Sequence, residues 1–323
     1  MKTTRRALFT VALVLPLTIA AAHGAAWPDR PITMIVPFPA GGPTDLVARV
    51  MATQLSQQLG QTIVVDNKGG ANGTIGMTAA ANSKADGYTM LYNTSSIALA
   101  PNLYKKLAFD PATDFDAISS TAVIPLVLLT HPSVPANTIT EFIEYARKNP
   151  DKLSYGSAGA GNVTHLGAFL FNQSTGIKAQ HIPYRGSAPA LTDLVGGQVQ
   201  FMTNTLNDSL PFIRDKRVKA LVLTSKARSD KLPDVPTVAE DTIAGFEIGA
   251  WQGIVVPAGT PPAIVQKLNT EVRKALKSDS ILKQLAAQGA QPLGSTADEY
   301  AAYIRSETRR WGDVINAAGV QLN

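Results

Sequence analysis

Few side chains in this chain are equipped for chemistry. Of four histidines, His23 lies in the leading segment, leaving His131, His165 and His181, and there is no cysteine. Metal binding needs several His, Cys or carboxylate ligands converging, and the spacing of these three histidines matches no metal motif. Gly156-Ser157-Ala158-Gly159 puts its serine directly after the glycine, the wrong offset for the G-x-S-x-G turn of serine hydrolases. Ser157 acting with His165 and an aspartate supplied by the fold remains an alternative that spacing leaves open. Gly159-Ala160-Gly161 begins a dinucleotide fingerprint, but Thr164 stands where the third glycine belongs, and no Walker lysine follows. No metal and no cofactor is expected.

What remains is one device made twice. Ile32, Met34, Ile35 and Val36 form a short β-type run, which Pro37, Pro39, Gly41, Gly42 and Pro43 cannot continue. Gly42 suits a helix cap, Pro43 the first helical position, and Asp45 the first turn, where the helix dipole favours a carboxylate. Leu46, Val47, Val50, Met51, Leu55 and Leu59 then recur on one face, and Gly60 suits the stop. The pattern returns with Leu153-Ser154-Tyr155 as strand, Gly156 to Asn162 as glycine-rich loop, and Val163 to Ser174 as helix before Gly176. A strand, loop and helix of this kind leaves free backbone N–H groups in the turn, a receptor for an anion or carboxylate. Taken singly, either loop also reads as an ordinary βα connection. Two of them on two α/β domains can face each other and close on an anionic small molecule.

The elements around them alternate. Thr62–Val65 and Tyr88–Tyr92 read as strands, the second running into a polar loop, Asn93-Thr94-Ser95-Ser96, at the same end of a parallel sheet as the first turn. Ile75–Ala81 reads as a helix of small residues. The apolar run Ile124–Thr130 reads as a strand near a domain crossing, and Val199–Thr203, Val218–Thr224 and Gly253–Val256 as further strands. Thr138 with Glu141, and Thr296 with Glu299, have capping-box spacing. The polar stretch Lys226–Thr237 reads as a return connection. The fold class is therefore α/β, with one domain from residues 27–124 plus 226–323 and the other from 125–225.

The first residues carry Lys2, Arg5 and Arg6, then an apolar run from Ala7 to Ala22 and small residues through Ala26, the layout of a cleaved signal peptide over residues 1–26. The run is short of the ~20 apolar residues of a membrane span. Thr4-Arg5-Arg6 leaves the choice between Sec and twin-arginine export open. Removing that segment takes three of 29 basic residues and none of 24 acidic ones, which lowers the formal charge from +5 to +2. The remaining basic residues are scattered, so nucleic acid is not an expected partner.

Trp27-Pro28-Asp29-Arg30-Pro31-Ile32 followed by Val36-Pro37-Phe38-Pro39-Ala40-Gly41-Gly42-Pro43-Thr44-Asp45 resembles the amino-terminal signature of the Bug family, the periplasmic solute-binding components of tripartite tricarboxylate transporters. Tyr155-Gly156-Ser157-Ala158-Gly159 through His165-Leu166, Pro183 to Ala190, Gly196-Gly197-Gln198-Val199 and Trp251 through Pro261 extend the resemblance over the mature chain. It implies a two-domain Venus-flytrap fold and a periplasmic monomer without catalysis, which delivers a carboxylated solute to membrane permease subunits. In that family the ligand carboxylate is held mainly by backbone groups and ordered waters of the two loops.

Carried over, the first loop comprises Phe38, Pro39, Ala40, Gly41, Gly42, Thr44 and Asp45. The second comprises Ser157, Ala158, Gly159, Gly161, Asn162 and Thr164, with His165 in the helix behind it. Phe38 would wall the pocket, and Ser95 and Ser96 would line it from a third loop. Thr44 and Asp45 also suit plain helix capping, and Arg185 suits either ligand contact, domain closure or a surface charge. Many relatives place an acidic residue where this chain has Asn204, which offers a ligand ammonium only neutral groups. The expected ligand is thus a dicarboxylate or aromatic carboxylate without an amino group. An exported serine hydrolase using Ser157 and His165, and a sensing receptor that presents its ligand to a membrane signalling protein, are the competing readings.

Overall fold

The computed structural model describes residues 27–150 and 152–323. The expected signal segment lies outside the described residues.

Apolar Ile32–Val36 forms β1, and the helix α1 (Pro43–Leu59) opens on Gly42 with Pro43 in its first turn and closes on a left-handed Gly60, as its sequence dictates. Next come β2 (Ile63–Asn67), a single 3₁₀ turn (Ala71–Gly73), α2 (Thr74–Ala81) and β3 (Thr89–Thr94). The expected polar loop Asn93–Ser96 is instead the end of β3 and the start of α3 (Ser96–Leu103). Its hydroxyls satisfy one another, Thr94 Oγ1 lying 2.7 Å from Ser96 Oγ. Then β4 runs from Phe115 to Thr130, more than twice the length of the expected Ile124–Thr130 strand.

The second half of the chain continues with α4 (Ile139–Lys148), β5 (Ser154–Ser157), α5 (Val163–Thr175), β6 (Gln180–Pro183), α6 (Ser187–Val195), β7 (Phe201–Thr205), α7 (Leu206–Arg214) and β8 (Lys219–Leu223). A short α8 (Val238–Asp241) precedes β9 (Gly249–Pro257), α9 (Pro262–Ala275), α10 (Asp279–Ala287), β10 (Gln291–Pro292) and α11 (Ala297–Ala318). Both expected capping boxes form, at Thr138–Glu141 and Thr296–Glu299.

Two parallel triplets organise this two-domain α/β fold. β1 pairs in parallel with β2 and β3, and β5 pairs in parallel with β6 and β7. The long β4 joins them: its first part pairs with β9, from Phe115 to Pro125, and its last part pairs with β7 and β8, from Leu126 to Thr130. Each body has its own core. Met34, Val47, Met51, Leu55 and Tyr92 are buried together in one, and Phe142, Tyr155, Leu166, Phe171 and Phe201 in the other. Residues 226–248 contribute Val238, Phe246 and Ile248 to the second core. Helix α11 lies along both bodies: Tyr300 and Ile304 pack with Trp251, while Trp311 and Ile315 join the cluster of Phe171. Between these, buried Glu307 accepts from the indoles of Trp251 (3.2 Å) and Trp311 (2.9 Å). Among the described residues no helix is long and apolar enough to cross a membrane.

Candidate functional site

The carboxyl ends of both triplets arrive at the middle of β4. Thr94, last in β3, pairs with Gln252, which pairs in turn with Ala122 of β4, and Thr205, last in β7, pairs with Leu126. Open α/β sheets bind ligands at this edge, where loops leave the strands. The loops of the two bodies touch there. Asn72 Nδ2 donates to Ala160 O at 3.0 Å, and Leu103 fills the space a side chain at Gly161 would need, 2.7 Å from an ideal Cβ.

In the loop after β1, Phe38, Gly42 and Thr44 are half-buried, while Pro39, Ala40 and Gly41 are exposed. Gly41 takes φ +79°, a left-handed conformation that favours glycine. Asp45 is buried and ties the loop together. Its Oδ2 accepts from Gly41 N (2.8 Å) and Arg49 Nε (2.9 Å), and its Oδ1 accepts from Asn67 Nδ2 (2.9 Å), which also reaches Phe38 O at 3.0 Å. Burial pushes this carboxyl up, but the hydrogen bonds from Arg49, Gly41 and Asn67 outweigh it and hold the group below the usual carboxylate range.

The loop after β5 is closed by neutral groups. Ala158 N donates to Thr164 Oγ1 (2.9 Å), Thr164 N and Oγ1 both donate to Asn162 Oδ1, and Gly161 N donates to His165 Nδ1 (3.1 Å). Gly159 N donates to Ser157 Oγ at 3.2 Å. Behind it the rings of His165 and His181 stack with centroids 3.7 Å apart, and Tyr155 stacks on His181 at 4.9 Å. Burial lowers both histidines, His181 to about 4 and His165 to about 3, the latter helped by its neighbour, so both are neutral at pH 7. The turn after β6 is sewn to this loop by Tyr184 N to Ser157 O and Gly186 N to Ala158 O, both 3.1 Å. Arg185 in that turn is exposed.

This geometry corrects the hydrolase alternative. Ser157 Oγ bonds His181 Nε2 at 2.7 Å, not His165, whose Nδ1 is occupied by Gly161 N–H, and Ser157 is fully buried. A nucleophile needs access and a base oriented by a third group. Among the described residues no carboxylate hydrogen-bonds His181.

Ser95 and Ser96 are buried at the third loop, with Ser95 N donating to Trp251 O at 2.9 Å. Asn204 is fully buried on β7, its Nδ2 3.2 Å from Ser209 Oγ. Sequence reasoning singled out neither Asn67 nor Asn72, and weighed His181 only as one of three histidines whose spacing matches no metal motif.

Side-chain caps are unevenly distributed, and α2 and α9 start without one. α4, α8, α10 and α11 are each capped by their own side chain, from Thr138, Thr237, Ser278 and Thr296. α1, α3, α6 and α7, which follow β1, β3, β6 and β7 at the shared edge, have no side-chain cap. Of the helices leaving the two triplets, α5 carries one, from Asn162. Uncapped helix starts keep N–H donors and positive dipole ends available to an anion. A hollow of about 490 Å³ lined by Leu153, Ser154, Gln180 and Gln200 sits at the opposite ends of β5 and β6, away from these loops.

Residues 47–320 match the family model described as tripartite tricarboxylate transporter family receptor. The chain is similar to protein BugT of Bordetella pertussis, 38% identical over 317 residues that cover 96% of this chain and 97% of BugT. Among solved structures it resembles Rpa4515 of R. palustris with adipate, with a TM-score of 0.84 and 37% identity, covering 91% of this chain and 99% of that one. It also resembles MatC of Rhodopseudomonas palustris with bound malate, with a TM-score of 0.77 and 35% identity, covering 90% of this chain and 100% of that one.

Proposed function

The chain belongs to the tripartite tricarboxylate transporter receptor family, and on that premise we propose that it is a periplasmic monomer that binds a small organic acid, a dicarboxylate or aromatic carboxylate, and hands it to the permease subunits of such a transporter. Belonging to this family makes it a solute-binding receptor; the ligand class, the delivery step and the compartment are the proposal.

The observation that carries it is the convergence of helix starts on one edge. α1, α3, α6 and α7 present starts without a side-chain cap to the edge where the two bodies meet. An anion entering between them gains hydrogen bonds that the protein alone does not make, directly or through bridging water. We place the first-loop residues Phe38 to Asp45 and the second-loop residues Ser157 to His165 on its two sides, with Asp45 and His165 as positioning residues beneath the loops. We further propose that the second domain spans 126–248, because Val238, Phe246 and Ile248 pack in its core.

Thermal unfolding of the purified protein against a panel of aliphatic and aromatic mono-, di- and tricarboxylates, sugars and neutral solutes tests this. A ligand that binds only the folded state at 100-fold its Kd stabilises by about 2.7 kcal/mol. The expected result is a raised Tm with at least one carboxylate. A shift with neutral solutes and with none of the acids overturns the reading.

A further inference from the structure

The turn between β2 and α2 is left-handed at successive residues: Gly70, Ala71, Asn72 and Gly73 take φ of +125°, +46°, +51° and +92°. Asparagine tolerates such values better than most residues, and alanine adopts them rarely. Among the described residues, Lys216 is the one other non-glycine residue with positive φ. Backbone of this kind persists only where its surroundings impose it, and it gathers at clamps and switches.

The surroundings here grip the turn from both sides. Thr74 Oγ1 and Tyr104 Oη both donate to Ala71 O at 2.9 Å, and α2 is pressed so closely on the first loop that an ideal Cβ at Gly76 would lie 2.8 Å from Pro37 Cα. What the conformation achieves is reach. It carries the Asn72 amide out of its own body, to donate to Ala160 O of the second loop. Among the described residues no other donor reaches that carbonyl. Next to Tyr104, the Leu103 side chain lies against Gly161, so adjoining residues of the first body hold the second loop by one polar and one apolar contact. Both contacts span the crevice, and hinge opening exchanges them for water.

We propose that Asn72 is the latch of this receptor: its amide bonds Ala160 O when the two bodies close, and so sets how long a bound solute stays. Asn72 is a positioning residue, which holds the loop while the loops hold the solute. The latch stands on the contacts between the bodies; its effect on a solute rests on the receptor reading above.

Two substitutions separate a latch from a turn residue. Asn72→Gly keeps the left-handed turn and removes the donor, whereas Asn72→Asp keeps size and turn tolerance but sets an acceptor against the Ala160 carbonyl. Spin labels at Gln57→Cys in α1 and Thr192→Cys in α6, exposed positions one on each body of a chain with no cysteine of its own, read the distance between the bodies. In the ligand-free protein, Asn72→Gly should lower the ratio of closed to open molecules about fivefold, the worth of one neutral hydrogen bond. Asn72→Asp should lower it further. A residue needed only to shape the turn would leave the ratio unchanged by either. Stopped-flow rates with succinate, malate, adipate and benzoate give the second readout: for each acid that binds, Asn72→Gly should speed dissociation about fivefold with association nearly unchanged. Distances in both variants equal to those of the unmodified protein, an Asn72→Asp protein that closes better than Asn72→Gly, or an unchanged dissociation rate overturns the latch and leaves the receptor reading intact. Binding of no carboxylate in the wider panel overturns the receptor reading, and the ligand-free distances still decide the latch.

Discussion

The loop after β1 hangs on the charge of Asp45, whose two oxygens gather Gly41 N, Arg49 Nε and Asn67 Nδ2, whereas the loop after β5 is laced by Thr164, Asn162 and His165 without any charged group. The two loops occupy equivalent places, each at the carboxyl end of a parallel triplet, and the two triplets run in opposite directions along β4. One needs an ionised group to be shaped, the other needs neutral ones. A device repeated along a chain can thus keep its backbone geometry while depending on solution conditions in opposite ways.

The largest expected effect comes from removing the charge. Asp45→Ala leaves the Gly41 amide and Asn67 short of an acceptor, and should cost about 3 kcal/mol in urea unfolding. A loss below about 1 kcal/mol would mean that the first loop does not depend on its carboxylate.

Acid should separate the loops next. A histidine in the unfolded chain titrates near 6.5, while His181 and His165 are lowered to about 4 and about 3 by burial. The unfolded state therefore takes up protons first, so their contribution is complete above pH ~6.5 and is lost as pH falls toward the folded values. Between pH 8 and pH 5 that is roughly 2 kcal/mol for His165, a loss that His165→Gln should remove. Asp45, held below the ordinary carboxylate value, contributes throughout that window and is lost only below about pH 4. A wild-type stability that is level from pH 8 to 5 would break the contrast.

The smallest effect belongs to Arg49. Its side chain is 50% exposed, so Arg49→Ala should cost under about 1 kcal/mol, and less at high salt. A larger, salt-independent loss would show that the pair acts as a buried one.

Much of this architecture is legible in the residues. Gly42, Pro43 and Gly60 bracket α1, both capping boxes form, and the echo of the first loop at Tyr155–His165 is real. What escaped is what depends on distant partners. Ser119-Ser120-Thr121 hides the first part of β4 because it breaks the apolar run; its polarity is met by Ser295, which takes Ser119 Oγ on its carbonyl and Ser120 N on its hydroxyl. His181 reaches Ser157 from the neighbouring parallel strand, a pairing no spacing rule announces. Asn67, which no motif singles out, bridges Phe38 and Asp45 from the neighbouring strand β2.

The placement of β9 also sets the order in which the molecule can be assembled. Leu91 to Thr94 of β3 bond to Gln252 to Val255 of β9, and β9 alone lies between β3 and β4. As the chain leaves the ribosome, everything needed for the second core up to β8 is present before the strand that covers β3 exists. Until then β3 has an open edge with unpaired backbone groups, a surface prone to wrong pairing. The amino-terminal body is begun first, and its inner strand edge is covered only after the strands of the second body have been made.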